Sequence, residues 1–297
     1  MKEINKLLKK NSLRAYNYKK IGKAIKICTT NGDYIIKKKI ENNDIFNYLV
    51  SRDFNYYPDI IDFDNNYEIT RYIEEIDIPV EQKMNDLVYL VSLLHRKTSY
   101  YKETDEAEYK KLYEDLENNL VYLEDYYSQL ITIIESKVYM SPPEYLFARN
   151  ISVVFLSIDK CKKMIDNWLN KINNLKKMRV AVVHNNLKLS HFIKSKNDYL
   201  VSWDKAKIDL PVFDLYKLYL NHALEFDFYE LLKKYEHTYP LKDYELDLFF
   251  ILILMPNKIE FNQNNYEMCQ IIRKELEKIS KTDNLVEQYL KAKKNLP

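Results

Sequence analysis

The stretch His184-Asn185-Asn186-Leu187-Lys188-Leu189-Ser190-His191 concentrates the side chains best placed to do chemistry. Two imidazoles stand seven residues apart, with two amides and a lysine between them. Imidazole transfers protons near neutral pH or binds zinc, copper or iron. Asp204, Asp209 and Asp214 follow downstream. Two histidines at that spacing and a distant carboxylate make a weak metal-hydrolase pattern. No acidic residue lies between Met178 and Asn197, so a proton taken within the loop needs a base other than a carboxylate of the loop itself. The cysteines Cys28, Cys161 and Cys269 are far apart and form no CxxC, which argues against a structural zinc site. Their odd number argues against a disulfide framework and fits a reducing cytoplasm.

Composition removes other chemistries. The 297 residues include only two glycines, Gly22 and Gly32. A dinucleotide fingerprint or a P-loop cannot be written with them. Turns that need a positive φ must fall to Asn or Asp, the residues that best tolerate it after glycine. With 46 basic and 44 acidic residues the chain has a net charge of +2, no footprint for nucleic acid. The apolar run Leu248–Met255 is far shorter than the roughly 20 residues that span a bilayer. It reads as a buried helix, and no membrane partner is expected. The basic N-terminus lacks the apolar core of a secretion signal.

Several elements must position the loop. Ala24–Cys28 and Tyr34–Ile40 are β-rich runs around Asn31-Gly32, a hairpin signal. A short helix is expected over 43–51. A second hairpin follows, with strands near Pro58–Phe63 and Tyr67–Tyr72 and a turn at 64–66. From residue 84 the period turns helical, with Leu87, Leu90, Val91 and Leu94 on one face. A long helix over about 105–138 carries Leu112, Leu116, Leu120, Leu123, Tyr127, Leu130 and Ile134. Ser141 and Glu144 have capping-box spacing, and Pro142 and Pro143 suit a first turn. The helix they start carries Val154, Ile158, Cys161, Ile165, Trp168, Ile172 and Leu175. The two stripes predict an antiparallel pair in a helical core, in preference to a coiled-coil partner surface. Met178–Val183 and Tyr199–Trp203 read as strands around the loop, and helices resume at Val212. The fold class expected is α+β: a small antiparallel sheet over 1–75, then a mostly helical region over 76–297.

The order of these motifs resembles the aminoglycoside phosphotransferase and choline kinase superfamily, a branch of the protein-kinase-like fold. In it a strand enters a loop H-G-D-x-x-x-x-N, a hairpin follows, and a downstream D-L opens a helix. Here the loop starts at His184, the hairpin ends at Trp203-Asp204, and Asp214-Leu215 opens the helix. Tyr34–Lys39 looks like the strand with the nucleotide-binding lysine. Tyr57–Ile61 and Glu68–Glu74 look like the strand pair entering the hinge, and Leu94-His95 like the end of the next helix. The order is most similar to the spore-coat CotS-like branch, and the match covers nearly the whole chain.

The resemblance implies a two-lobed kinase-like fold, with a nucleotide-binding-like lobe over 1–75 and a lobe carrying the catalytic loop over 76–297. It implies ATP and magnesium as cofactors, a small-molecule or protein partner, and a cytoplasmic or spore-coat location in a Gram-positive spore-former. It assigns Lys37 to the α- and β-phosphates, although Lys39 shares its face. It assigns Asp204 to the magnesium, His184 to a structural role and Asp214 to bracing the loop. Asp214 also suits a helix N-cap.

The departures are as informative. Asn186 stands where the family has its catalytic aspartate, and an amide has no group that titrates near neutral pH. His191 stands where the family has a metal-binding asparagine, and imidazole is a poor magnesium ligand. Asn185 replaces a glycine. Lys188 lies two residues after Asn186, where it reaches a phosphate or solvent. Around Lys19, Lys20, Gly22 and Lys23 a single glycine leaves little room for close backbone approach to phosphates. No clear glutamate follows the lysine strand to pair with it: Glu41 comes early and Asp44 is short. The expectation is a kinase-fold protein with impaired catalysis, in a pseudokinase-like binding or coat role. An active ATP-dependent small-molecule phosphotransferase with altered catalytic residues is the alternative.

Overall fold

Ile4, Leu7 and Leu8 recur at helical spacing in an otherwise polar N-terminal segment, so a helix there has one apolar face to bury. The computed structural model describes residues 2–39 and 43–294. It forms that helix as α1 (Lys2–Lys10). In chain order there follow β1 (Ala15–Ile21), β2 (Ala24–Thr29), β3 (Gly32–Lys38), α2 (Asn43–Ser51), β4 (Ile60–Phe63), β5 (Tyr67–Arg71), α3 (Val80–Thr98), β6 (Tyr100–Glu103), α4 (Glu106–Glu135), α5 (Pro142–Ile172) and β7 (Lys177–Val183). The strands β8 (Phe192–Lys194) and β9 (Asp198–Leu200) form a hairpin, followed by α6 (Val212–His222), α7 (Phe228–Thr238), α8 (Asp243–Leu254) and α9 (Asn265–Lys294).

By contacts the chain forms two compact units. One comprises the residues up to Thr98 together with Val182–Ile208, and the other comprises Ser99–Ala181 and the residues from Asp209 on. The first holds an antiparallel sheet in the order β1-β2-β3-β5-β4. Ile27, Tyr34, Ile36 and Ile69 line one face and pack with Ile4, Leu7 and Leu8 of α1. Alternation sends Lys26, Asp33, Ile35, Lys37, Glu68 and Thr70 to the opposite face.

The expected β2–β3 hairpin forms, with a different use of its turn. Thr29 pairs with Gly32, so Thr30 and Asn31 are the central residues, and Gly32 takes the positive φ of 112°. Asn-Gly as the central pair would need two positive φ values, whereas this turn needs one, just after it. The second hairpin closes as read: Asp64 Oδ1 accepts from the N–H groups of Asn66 and Tyr67 at 2.8 and 2.7 Å. The expectation that only Asn and Asp replace glycine at positive φ is corrected. Asp53 and Asn185 do so, and so do Ser12 and Ser202. Ser12 and Asp53 follow the ends of α1 and α2. There Leu13 N–H reaches Leu8 O and Phe54 N–H reaches Leu49 O, both at 2.9 Å, the helix-ending geometry usually filled by glycine.

In the second unit α5 packs against α4, α8 and α9. Val154, Ile158, Cys161, Ile165, Trp168 and Ile172 are all buried, as are Leu116, Leu120, Leu123, Tyr127 and Ile134 of α4. The stripes are therefore core. Burial pushes the Cys161 thiol up to about 12, which makes it a packing residue and not a nucleophile. Leu248–Leu254 lie buried within α8. Among the described residues no helix is long and apolar enough to cross a membrane.

The start of α5 is set by its cap. Glu144 accepts from both the backbone N–H and the hydroxyl of Ser141, each at 2.8 Å, and pairs with Lys137. Lys137 first, then the Ser141 groups, hold the Glu144 carboxyl down to about 2. A depressed carboxylate stabilises the fold above its unfolded value and loses that contribution as it protonates. The stability advantage of the wild type over Glu144→Gln, read as a urea midpoint, should be full above about pH 5 and vanish towards about pH 2. A pH-independent difference would place the effect in packing.

Candidate functional site

The loop after β7 is pinned by its histidines. His184 is buried, and its Nε2–H donates to Val201 O at 2.8 Å. Its ring stands edge-on to Trp203, centroids 4.9 Å apart. Trp203 is buried, donates to Leu200 O at 2.8 Å and touches the rings of Phe46, Phe54 and Tyr57. One indole thus ties the loop, the β8–β9 hairpin and α2 together. The strand expected over Tyr199–Trp203 stops at Leu200, because Trp203 turns into a short 3-10 segment over Trp203–Lys205.

His191 closes the loop on itself. Its Nδ1–H donates to Asn186 O at 2.6 Å, and its backbone carbonyl accepts from Val201 N–H at 2.9 Å. With the proton on Nδ1, a neutral ring carries its lone pair on Nε2. Asn185 and Ser202, at φ 54° and 67°, flank the His184–Val201 contact. Neither is at a helix end like those of α1 and α2. Left-handed non-glycine residues cost of order 1–3 kcal/mol and collect at functional sites. Ser202 carried no sequence signal, since a serine between Val201 and Trp203 in a mostly apolar run reads as continued strand.

The other predicted site residues differ in setting. Asn186 is half-buried, while Lys188 and Asp204 are exposed. Asp204 sits in the 3-10 segment after Trp203. Asp214 is fully buried in the first turn of α6. It is not the N-cap, a position held by Pro211, so the capping alternative is corrected. Asp214 belongs to the second unit, and the residues from His184 to Asp204 belong to the first.

Lys37 and Lys39 part company. Lys37 Nζ lies 2.9 Å from Glu68 Oε1, on the strand directly opposite. Lys39 falls past the end of β3, with its ammonium 4.2 Å over the Phe63 ring. On the same face as Lys37, Lys26 pairs with Asp33 at 2.8 Å and stands 3.4 Å over the Tyr72 ring. The Lys37 ion pair therefore runs to the sheet and not to Asp44 on α2, and Glu41 lies outside the described residues. The sequence carries no signal for Glu68 as the partner, because β3 and β5 belong to different hairpins and the turns fix register only within each.

Magnesium takes hard oxygen donors, preferably carboxylates. The loop offers an imidazole, amides and a lysine, and Asp204 is the one acidic residue assigned to the ion. Among the described residues no three acidic, histidine or cysteine side chains converge to hold a metal. The donor set does not fit magnesium well.

No family model matches the sequence, and no curated protein matches it. Solved structures do match, over nearly the full length of both chains. An aminoglycoside phosphotransferase from Alicyclobacillus acidocaldarius superposes with a TM-score of 0.68 at 10% identity, covering 92% of each chain. The AMP-bound spectinomycin phosphotransferase APH(9)-Ia gives 0.55 at 10% identity, covering 95% of this chain and 97% of its own. The choline kinase LicA from Streptococcus pneumoniae gives 0.50 at 16%, covering 96% and 97%. Identities this low speak for fold alone, and on that ground the chain has the α+β, protein-kinase-like fold of the aminoglycoside phosphotransferase and choline kinase superfamily.

Proposed function

We propose that this protein is a catalytically impaired member of that fold, which binds nucleotide weakly and acts as a binding module. The reading rests on Asn186, which the motif resemblance sets in the position of the catalytic base. Its side-chain amide cannot take a proton, and its backbone carbonyl accepts from His191 Nδ1–H. Losing a general base costs about 10²- to 10⁴-fold in rate. The poor magnesium donor set adds to that loss. In this reading residues 1–75 form the nucleotide-binding lobe, with Lys37 as the phosphate contact, and residues 76–297 carry the degenerate loop. The likeness of the motif order to the CotS-like branch supports a coat-associated role and a small-molecule or protein partner.

The alternative, an active ATP-dependent small-molecule phosphotransferase, is favoured by one observation. Donation from Nδ1 leaves His191 Nε2 as a potential base in the loop itself.

Thermal shift with ATP, with and without magnesium, and ATP consumption over hydroxylated acceptors separate the two. The expected result is stabilisation by ATP, about 2.7 kcal/mol at a hundredfold excess over Kd, and no magnesium-dependent turnover. Turnover abolished by Asp204→Ala would overturn the impaired reading, and turnover abolished by His191→Ala would establish the alternative.

A further inference from the structure

We infer that Glu68 is the positioning residue for Lys37, so that the nucleotide-contacting lysine is held from within the sheet and needs no carboxylate from α2. The inference rests on the reading that Lys37 meets the phosphates of a bound nucleotide, and deepens it.

Three observations carry it. First, Lys37 on β3 and Glu68 on β5 are direct cross-strand partners, so their side chains leave the same face of the sheet side by side. That is the face opposite the α1-packed core, which holds Tyr34, Ile36 and Ile69. Second, Glu68 is only 3% exposed, whereas the Lys37 side chain keeps 26% of its surface. The anchor is buried and the cation reaches out from it. A buried carboxylate needs a partner, and Lys37 is the cation 2.9 Å away. Third, the contact is short, 2.9 Å, and Glu68 Oε1 has no other hydrogen-bond partner among the described residues, so Lys37 is the group that compensates this buried oxygen. An ammonium has three N–H donors, so a contact with this one oxygen leaves donors for a ligand.

A free lysine has four rotatable bonds and loses up to about 2 kcal/mol of side-chain entropy when a ligand fixes it. An ion contact on a rigid strand removes much of that freedom before the ligand arrives, which is preorganisation. A strand also holds its register more firmly than a helix that can shift against the sheet. Another lysine of this face, Lys26, is engaged by Asp33 and Tyr72.

The test compares ATP with adenosine, binding to the full chain by calorimetry, in the wild type, Glu68→Gln, Glu68→Asp and Lys37→Met. Adenosine lacks the phosphates, so the ratio of the two affinities isolates what the lysine contributes. A residue that merely supports the sheet would weaken both ligands alike. The expected result is that Glu68→Gln weakens ATP about tenfold and adenosine less than about twofold. Lys37→Met should do the same, and Glu68→Asp should recover part of the ratio. Glu68→Gln keeps the side-chain volume, and a circular dichroism melt of each variant verifies the fold. An unchanged ratio in Glu68→Gln, with ATP still bound, overturns the inference. So does a raised ratio, which would make Glu68 a competitor of the phosphates. Absence of ATP binding to the wild type is a different outcome, and it overturns the reading beneath both.

Discussion

Replacing Asn186 by Asp is expected to raise the rate of ATP turnover by about 10²-fold or more. The position follows the left-handed residue Asn185, within a loop held by His184 on Val201 and by His191 on the Asn186 carbonyl. That carbonyl contact is made by the backbone, so the substitution leaves it in place. Only the side chain changes, from an amide to a carboxylate of nearly the same shape. A carboxylate can accept the acceptor hydroxyl's proton, and it adds an oxygen donor next to a loop poor in them. Adding His191→Asn should raise the rate further, because the amide oxygen is a harder donor than imidazole. Phosphoryl transfer depends mainly on positioning and electrostatic stabilisation, so the gain requires that the remaining groups already sit correctly. Steady-state turnover with saturating ATP and magnesium over an aminoglycoside and choline measures it. If the double replacement is no faster than the wild type, the impairment lies outside Asn186 and His191.

The second large effect is on stability. Glu245→Ala should cost about 3–5 kcal/mol, read from urea unfolding. Glu245 is fully buried at the start of α8 and takes the Arg179 guanidinium of β7 through both oxygens, Nε at 3.0 Å and Nη2 at 2.5 Å. The same carboxylate accepts from Lys242 N–H at 2.8 Å, which caps the helix. Arg179 also donates to Pro240 O and stacks 4.0 Å over the Tyr239 ring. Truncating the acid strands a mostly buried guanidinium and opens the cap together. The double replacement Arg179→Met, Glu245→Leu should cost less than Glu245→Ala, since no unpaired charge remains. Equal losses would show that the cap and the packing outweigh the charge.

The helical core was legible because its signal is local and repeated. The α4 and α5 stripes recur at steps of three and four over thirty residues, and a stripe of that length has one physical use in a globular chain, burial. The α5 cap was readable for the same reason: Ser141, Pro142, Pro143 and Glu144 act on each other within one turn. The order of the kinase-like motifs was readable as well, because each is a short segment with its own residue types. Asn186 and His191 stand out in the sequence as well, since the absence of an acid from the loop needs no coordinates.

What needed the tertiary structure were the pairings across distance and the backbone angles. Lys37 and Lys39 look alike in a run of three lysines, and only the strand end and the Glu68 register separate them. Trp203 reads as the end of a strand, yet it turns inward because His184, Phe46, Phe54 and Tyr57 make a pocket for its indole. Ser202 is left-handed because the chain must turn there between Val201, bonded to both loop histidines, and the buried indole. Arg179 and Glu245 are 66 residues apart, and nothing local marks either as buried. Periodicity reports which side of an element is apolar. It carries no information on which polar side chains meet across the fold, because that depends on register, strand order and the distances that packing sets.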